Sequence, residues 1–347
     1  MQSFQIGPNE AGQRFDKFLR KFLPAASGGF LYKMLRKKNI ILNGKKAEGG
    51  ELLQIGDQVS VFFSDETFLK FRGNPSPADG ADPENRGEKK QEQIREYERA
   101  FRQLKGIEIL YEDDNVIFLN KPAGILSQKA GAEDLSLNEW LIGYLLKEGR
   151  LTEQALQTFK PSVCNRLDRN TGGIVLCGKS LTGSRELNRL IRERCVKKFY
   201  RTFVKGEIRE GAHVRGILHK DELTNRVTVS EFPDGKAENG AVIETVYEPV
   251  RVFSDRTCLD VELITGKSHQ IRAHLAAIGH PVLGDPKYGD EAWNELYRSR
   301  YGVHWQLLYA SRITFPFVTG PLENLSGRSF TAALPEIYSR LMRESGK

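Results

Sequence analysis

The spacing of hydrophobic residues near the start of the chain predicts a small unit of helices and short strands. Apolar side chains recur at helical spacing in RFDKFLRKFL and again in FLYKMLRKK, and Pro24 ends the first of these helices. The apolar face of the first helix comprises Phe15, Phe18, Leu19 and Phe22. NIILNGKKA then reads as two short strands joined by a tight turn at Asn43-Gly44, and LLQIGDQVSVFF as a turn and an alternating strand. These patterns predict a compact α/β domain over residues 12–64.

The next stretch changes character and predicts a domain boundary. Residues 72–98, RGNPSPADGADPENRGEKKQEQIREYE, are rich in proline, glycine and charge and carry few large apolar groups. A segment of this composition cannot bury a core of its own. We therefore expect a charged linker over residues 65–105, the last part of which has the composition to form a helix.

From residue 106 onward the chain consists of many short apolar runs joined by turns. Strand-like alternating or continuous apolar character is found in IEILYED, NVIFLNKP, GGIVLCGKS, KKFYRTFVKG, AVIETVYEPV and TCLDVELITG. Helical spacing is found in LSLNEWLIGYLL and GSRELNRLIRERC. Many short strands with a few helices predict an α+β fold with a predominantly antiparallel mixed sheet, and we assign residues 106–345 to this second domain.

The composition predicts a folded protein and disfavours disordered, secreted and membrane proteins. Hydrophobic residues make up 39% of the 347 and aromatic residues 10%, which is enough for a sizeable core. The longest apolar runs fall well short of the ~20 residues that a membrane span needs, and the first residues lack the apolar segment of a secretory signal. The four cysteines have neither metal-knuckle spacing nor the density of a disulfide framework. We therefore expect a cytoplasmic protein with no membrane association.

Positive charge is concentrated near the N-terminus. The whole chain has 52 lysines and arginines against 45 acidic residues, a net charge of +7. Between Arg14 and Lys46, ten basic residues face a single acid, Asp16, so this stretch accounts for the entire excess. Such a distribution is typical of a polyanion-binding module attached to a near-neutral body. The candidate phosphate-binding side chains are Arg14, Lys17, Lys33, Arg36, Lys37 and Lys45.

One carboxylate has an unusual setting. In VCNRLDRNTGG, Asp168 lies between Arg166 and Arg169, where a strand-like segment runs into a Thr-Gly-Gly turn. Neighbouring cations favour an ionised carboxylate, which suits a nucleophile or a general base. Local chemistry also allows a simpler interpretation, a salt-bridged surface turn, because Arg–Asp pairs are common.

A second group of polar residues lies in ITGKSHQIRAHLAAIGHPVLGDPKYGD, where SHQIRAHLAAIG reads as a helix. Its histidines suggest a metal site, but His269 and His274 are about 140° apart on a helix, and His280 lies beyond a glycine. No metal centre is expected, because these residues share no face and no fixed carboxylate completes a ligand set. Lys267 and Arg272 are better candidates, for contact with an anionic substrate group.

The strand-like segment KKFYRTFVKG places Tyr200 among basic residues. An aromatic ring flanked by cations can stack on a nucleobase while the cations neutralise phosphates. The alternative is a tyrosine of an amphipathic strand that covers the edge of the core.

Taken together, these motifs resemble a known protein family. The order and spacing of the motifs of RluA-type pseudouridine synthases are matched by NKPAG, RLDRNTGG, KKFY, TGKSHQIRAHL and GHPVLGDPKYG. The N-terminal unit is similar to the small RNA-binding domain shared with ribosomal protein S-four. The resemblance covers residues 12–64 and 106–340, and the layout resembles that of members that modify large-subunit (23S) ribosomal RNA.

The resemblance implies an RNA-modifying isomerase that converts specific uridines to pseudouridine. It implies Asp168 as the catalytic carboxylate at the target ribose, Tyr200 packed against the target base, and Arg272 paired with the carboxylate. Arg166 would hold the flipped-out nucleotide or fill the vacated stack, and Lys267 would contact the substrate. The reaction involves no redox change and no second substrate, so no cofactor, metal or obligate protein partner is expected.

Other interpretations remain open at this point. The same reaction on transfer RNA is an alternative, although the basic module favours ribosomal RNA. A catalytically silent RNA-binding or ribosome-assembly factor is disfavoured because Asp168, Tyr200 and Arg272 are all present. A carboxylate glycosidase would need two catalytic acids, and only one carboxylate has an unusual setting. Whether Asp168 attacks the sugar or removes a ribose proton is equally open.

The chain departs from the family pattern at several positions. Asn165 replaces a histidine before the RLD signature, Gly172 replaces a serine after it, and Lys267 stands where an arginine is more common. Gln128 replaces a histidine that follows the NKPAG segment in many members. These changes leave the carboxylate, the aromatic ring and the basic partner in place, so we expect them to affect RNA positioning and site preference.

Overall fold

The computed structural model describes residues 1–7, 10–72, 83–221, 226–231 and 240–343. Within these ranges the chain forms a four-stranded N-terminal sheet and an eleven-stranded sheet, each with its own helices. This is the α+β architecture that the hydrophobic pattern predicts. In the same ranges, no helix combines the length and the apolar character needed to cross a membrane.

The N-terminal unit is an antiparallel sheet that shares a core with three helices. Its strands are β1 (Gln2–Gln5), β2 (Ile40–Leu42), β3 (Lys45–Lys46) and β4 (Gln58–Val61). Its helices are α1 (Phe15–Phe22), α2 (Gly28–Arg36) and α3 (Asp65–Phe71). The spatial order is β1-β4-β2-β3, so the sheet also includes residues before position 12.

The core of this unit follows the predicted pattern. The four apolar residues expected on one face of α1 are all buried, namely Phe15, Phe18, Leu19 and Phe22. Ser27 begins α2 because its hydroxyl accepts a hydrogen bond from the Phe30 amide at 3.3 Å. Asn43 and Gly44 both have positive φ, 51° and 72°, the conformation of the tight hairpin turns that Asn-Gly favours. The predicted turn is therefore confirmed.

The second domain is a large mixed sheet with helices on both faces. Its strands are β5 (Glu108–Glu112), β6 (Val116–Lys121), β7 (Ser162–Val163), β8 (Gly172–Gly178), β9 (Lys197–Lys205), β10 (Ala212–Asp221), β11 (Arg226–Glu231), β12 (Ala241–Val252), β13 (Arg256–Leu263), β14 (Leu308–Thr314) and β15 (Ser329–Thr331). Its helices are α4 (Pro83–Gln103), α5 (Leu137–Lys147), α6 (Leu181–Arg192), α7 (Gln270–Ala277), α8 (Glu291–Tyr301) and α9 (Glu336–Arg343), with 3-10 turns at Ala155–Gln157 and Gly320–Leu325.

The strand order is β11-β10-β12-β13-β9-β14-β8-β6-β5, with β7 and β15 paired to β8 and β14. The pairing of β8 with β14 is parallel and the other pairings are antiparallel, as expected of a predominantly antiparallel mixed sheet. The central strands β6 and β8 are buried along their whole length, because helices cover both faces of the sheet. This explains their continuous apolar runs.

Helix α4 lies in the segment that the sequence assigns to a linker. Tyr97 and Ala100 of this helix are buried against Leu141 of α5, in the apolar layer on one face of the large sheet. The C-terminal part of the predicted linker therefore packs as part of the second domain.

Polar contacts join the N-terminal unit to the second domain. The Thr158 hydroxyl donates to the Glu10 carboxylate, and Lys21 Nζ donates to the Thr158 carbonyl at 3.2 Å. The Arg185 guanidinium on α6 donates to the Gly12 carbonyl. The basic N-terminal unit is therefore seated against the second domain.

Candidate active site

The candidate catalytic carboxylate, Asp168, lies in the loop between β7 and β8. The Asn165 side chain anchors the start of this loop, because its Oδ1 accepts from the Leu176 amide at 2.7 Å. Leu167 is buried, and its backbone amide and carbonyl both bond to the Ser127 hydroxyl at 2.9 Å. Fixing Asn165 and Leu167 in this way leaves the Asp168 side chain at the rim of the sheet, partly open to solvent.

A buried lysine ties the NKPAG segment to the loop that carries Asp168. Lys121 Nζ donates to the carbonyls of Pro122, Ile125 and Arg169, at 3.1, 2.8 and 3.0 Å. Burial lowers the pKa of this amine to about 7, although the negative charge of Asp168 raises it. Three carbonyl acceptors use all three donors of an ammonium group, so the bonding matches the charged form. Lys121 thus places an amine with three carbonyl partners under the loop that carries Asp168.

Two glycines allow the loop to enter β8 at close range. Gly173 has φ of +109°, and a Cβ at this position would lie 2.2 Å from the Ala310 carbonyl oxygen. A Cβ at Gly172 would lie 2.6 Å from the Tyr309 ring. The glycine at position 172, where the family pattern has serine, therefore matches the packing of this tyrosine.

We predict that Gly173→Ala destabilises the second domain by at least about 3 kcal/mol, because backbone strain adds to a clash with a neighbouring strand. Urea unfolding followed by circular dichroism measures the change. Gly124→Ala is the matched control, because Gly124 also has positive φ but its Cβ would meet open space. Equal destabilisation by the two variants would show that the contact with Ala310 is unimportant.

Arg272 links two carboxylates from different parts of the chain. Its Nη1 donates to Asp168 Oδ2 at 2.7 Å, while Nε and Nη2 donate to the two oxygens of Asp285 at 2.7 and 2.8 Å. The side chain of Asp285 is fully buried and that of Arg272 is 6% exposed, whereas that of Asp168 is 27% exposed. The guanidinium is therefore fixed from the inside by Asp285 and presents its remaining face to Asp168.

The charges of Arg272 and Asp285 are stabilised in the folded protein. Burial raises the pKa of the Asp285 carboxyl, but hydrogen bonds and attraction to Arg272, with the amides of Lys287 and Tyr288, bring it below its ordinary value. Burial lowers the pKa of Arg272, and bonding to Asp285 and Asp168 more than offsets this. Both groups are therefore charged at neutral pH.

Three of the predicted site residues come together. Asp168 and Arg272 are in direct contact. Tyr200, on β9, is buried, and it lies within range of the negative charge of Asp168. Burial raises the pKa of the Tyr200 phenol, and the negative charge of Asp168 raises it further. The ring is therefore uncharged at neutral pH. Arg166 and Lys267 are exposed, and no contact described for either side chain reaches Asp168.

The predicted cations of the N-terminal unit lie on its surface. Arg14 donates to the Asp16 carboxylate at 3.1 Å, so part of its charge is balanced within the unit. The remaining members of the set are all exposed, namely Lys17, Lys33, Arg36, Lys37 and Lys45. Their charges are therefore accessible to a polyanion.

Sequence analysis missed Asp285, the residue that fixes Arg272. It belongs to GHPVLGDPKYG, which contributed to the family resemblance without any role being assigned to its carboxylate. The signal was a second carboxylate near Arg272, 13 residues further along the chain. Sequence analysis also predicts His269 inside a helix, but α7 begins at Gln270, and His269 precedes it in a left-handed conformation with φ of 57°.

The three histidines considered for a metal site each have another partner. His269 Nδ1 bonds to the Tyr288 hydroxyl at 2.9 Å, His274 Nδ1 to the Thr245 hydroxyl at 3.0 Å, and His280 Nδ1 to the Lys205 carbonyl at 2.8 Å. Across the described part of the chain, no group of three histidine, cysteine or acidic side chains is arranged to hold a metal ion.

Comparison with known proteins identifies the class. A family model described as RNA pseudouridylate synthase matches residues 115–277. A relative from Vibrio parahaemolyticus named ribosomal large subunit pseudouridine synthase C is 30% identical over 321 residues, covering 91% of this chain and 88% of the relative. The protein of the same name from Escherichia coli is 28% identical over 311 residues, covering 89% of this chain and 87% of the relative.

A solved structure described as human RNA pseudouridylate synthase domain containing 4 has a TM-score of 0.54 and 22% identity. It covers 72% of this chain and 95% of the human chain. This similarity confirms the predicted pseudouridine synthase fold. The fold and the sequence matches together define an RNA pseudouridine synthase, an isomerase. Within that class, the chain belongs to the RluA-type family.

Proposed function

We propose that this isomerase acts on uridines of large-subunit (23S) ribosomal RNA and that Asp168 is its catalytic carboxylate. The observation that carries the proposal is the contact between Asp168 and an arginine held from behind by Asp285, beside the buried ring of Tyr200. The substrate assignment is supported by relatives whose names refer to the large ribosomal subunit. This chain spans nearly the whole length of those relatives.

The reaction needs the chemistry that this arrangement offers. The bond between uracil N1 and ribose C1′ breaks, the detached base turns, and C5 bonds to C1′ while a proton leaves C5 and N1 gains one. A carboxylate can attack C1′ or remove a ribose proton, and in either role the bond from Arg272 orients Asp168. Tyr200 supplies an aromatic wall against which the detached uracil is retained.

Flipping the target nucleotide out of its stack costs a few kcal/mol. Stacking on an aromatic side chain returns about 1–3 kcal/mol per base, and contacts to phosphates supply the remainder. We assign these phosphate contacts in part to the exposed cations of the N-terminal unit, taken as an RNA-binding domain over residues 12–64 ahead of a catalytic domain over residues 106–345. Its seating against the second domain would keep bound RNA close to Asp168.

Mapping pseudouridines in ribosomal and transfer RNA, from cells with and without the gene, tests the substrate assignment. We expect loss of one or more sites confined to the large-subunit RNA. A loss confined to transfer RNA would contradict the assignment and favour the alternative substrate, while leaving the chemistry of the site unchanged.

We predict that neutralising three exposed cations, with Lys33→Gln, Arg36→Gln and Lys37→Gln together, weakens RNA binding about tenfold at low salt. The slope of log affinity against log salt concentration should fall in magnitude by up to about 2, because fewer counterions are released. Filter binding over a salt series measures both. The charge-preserving triple, Lys33→Arg, Arg36→Lys and Lys37→Arg, is the control. An unchanged slope in the neutralised variant would argue against RNA binding by this surface.

A further inference from the structure

His269 is held in an unusual backbone conformation next to the catalytic triad. Its φ of 57° is left-handed, a region that residues other than glycine seldom adopt. The turn before it is fixed by Gln270, whose Oε1 accepts from the Thr265 hydroxyl at 2.7 Å and from the Lys267 amide at 3.2 Å. A well-bonded turn thus holds a half-buried imidazole near Arg272: its ring lies 5.7 Å from the Tyr288 ring, and the guanidinium carbon of Arg272 lies 5.3 Å from the centre of that same ring.

The Tyr288 hydroxyl links this imidazole to another part of the domain. It accepts a hydrogen bond from the Val227 amide of β11 at 3.0 Å and lies 2.9 Å from His269 Nδ1. Because the Val227 amide can only donate, the Tyr288 hydroxyl can donate its single proton to His269 Nδ1. The imidazole then carries its own proton on Nε2, the nitrogen on the other side of the ring.

The surrounding charges keep the imidazole neutral. Burial lowers the pKa of His269; the Asp168 carboxylate raises it, and the cations of Arg272 and Lys287 lower it again, with a net decrease. Arg272 commits three of its N–H donors to carboxylates. A neutral Nε2–H group near Arg272 therefore supplies a further hydrogen-bond donor at this end of the site.

We propose that His269 donates its Nε2–H to an oxygen of the target nucleotide, a uracil carbonyl or a flanking phosphate, and that Tyr288 is a positioning residue that fixes this tautomer. The inference rests on the proposed role of Asp168, because it places the nucleotide at that carboxylate. His269 would then add a polar bond that orients the uracil or its backbone to the apolar contact made by the Tyr200 ring.

Two substitutions of His269 separate a donor role from a structural role. Gln places an amide NH₂ near the position of Nε2, whereas Asn places it near Nδ1 but tolerates the left-handed backbone better. We expect His269→Ala to slow single-turnover isomerisation about tenfold, Gln to recover most of the rate, and Asn not to recover it. His219→Gln, at a partly exposed histidine on β10, controls for loss of any histidine. A smaller loss of single-turnover rate in His269→Asn than in His269→Gln would overturn the proposal.

The tautomer is tested directly by ¹⁵N NMR of histidine-labelled protein, with the His269 signals assigned by their loss in His269→Gln. We expect a pyridine-type Nδ1 and a pyrrole-type Nε2 in the wild type, and loss of this preference in Tyr288→Phe together with a slower single turnover. A pyrrole-type Nδ1 in the wild type would overturn the proposal.

The oxygen that accepts the bond is identified with substituted RNAs, using whichever RNA the pseudouridine mapping identifies as substrate. The penalty of His269→Ala should shrink on one of three substrates: 2-thiouridine, 4-thiouridine, or a methylphosphonate beside the target. An equal penalty on all of them would overturn the inference. The proposed function is tested by other measurements. It fails if the mapped RNA is not large-subunit ribosomal RNA or if Asp168→Asn keeps its turnover rate.

Discussion

Asp168→Asn is expected to lower the rate of uridine isomerisation by about 10³-fold or more while leaving RNA affinity nearly unchanged. Asparagine has nearly the same shape and can still accept a bond from Arg272, but it has neither the negative charge nor the basicity to act on the ribose. Arg272 remains fixed by Asp285, so the fold of the site is preserved. The measurement is single-turnover conversion, with pseudouridine quantified by mass spectrometry, alongside filter binding.

Asp134→Asn is the matched control, because Asp134 is a partly exposed carboxylate 3.8 Å from the Arg169 guanidinium, next to the catalytic loop. We expect it to change the rate little, since ion pairs at the surface contribute at most about 1 kcal/mol. Retained turnover in Asp168→Asn would contradict the proposed mechanism. An equal loss in both variants would mean that the charge of the loop matters more than one specific carboxylate.

Local features of the fold could be predicted from sequence because they depend on neighbouring residues. The apolar period of α1 and the turn at Asn43-Gly44 are of this kind, and both are confirmed. The pairing of β1 with β4 could not be predicted, because it joins residues far apart in the chain and β1 has no strong pattern of its own. The parallel pairing of β8 with β14 is equally non-local.

The candidate site shows the same division. The sequence motifs indicated Asp168, Tyr200 and Arg272 individually, and their grouping was expected only through resemblance to a family. Asp285 was missed because its importance depends on burial, and burial is a property of the packed domain rather than of the GDPKYG segment. His269 was interpreted as part of a helix because its neighbours have helical spacing, but Gln270 and Thr265 bond to close a turn before the helix begins.

Asp285 makes a second strong prediction. Asp285→Leu removes a fully buried carboxylate and leaves the buried Arg272 with only the partly exposed Asp168 as partner. Breaking a buried ion pair on one side typically costs about 3–5 kcal/mol, because a charge remains without compensation. The amides of Lys287 and Tyr288 also lose their acceptor. We expect a loss of stability of that size in urea unfolding, and at least about 100-fold slower isomerisation, since an Arg272 that Asp285 no longer fixes holds Asp168 less precisely.

The double variant Arg272→Met, Asp285→Leu separates the structural role of the pair from its role in the reaction. Replacing both partners by apolar residues removes the uncompensated charge, so much of the stability lost in Asp285→Leu should return. Activity should not return, because Arg272 is then absent and no longer orients Asp168. If activity recovered together with stability, Arg272 would act only as part of the core. If neither recovered, the bonds from Asp285 to the loop amides would dominate. We expect the double variant to be stable but inactive, because Asp285 holds the Arg272 guanidinium and this guanidinium in turn positions Asp168.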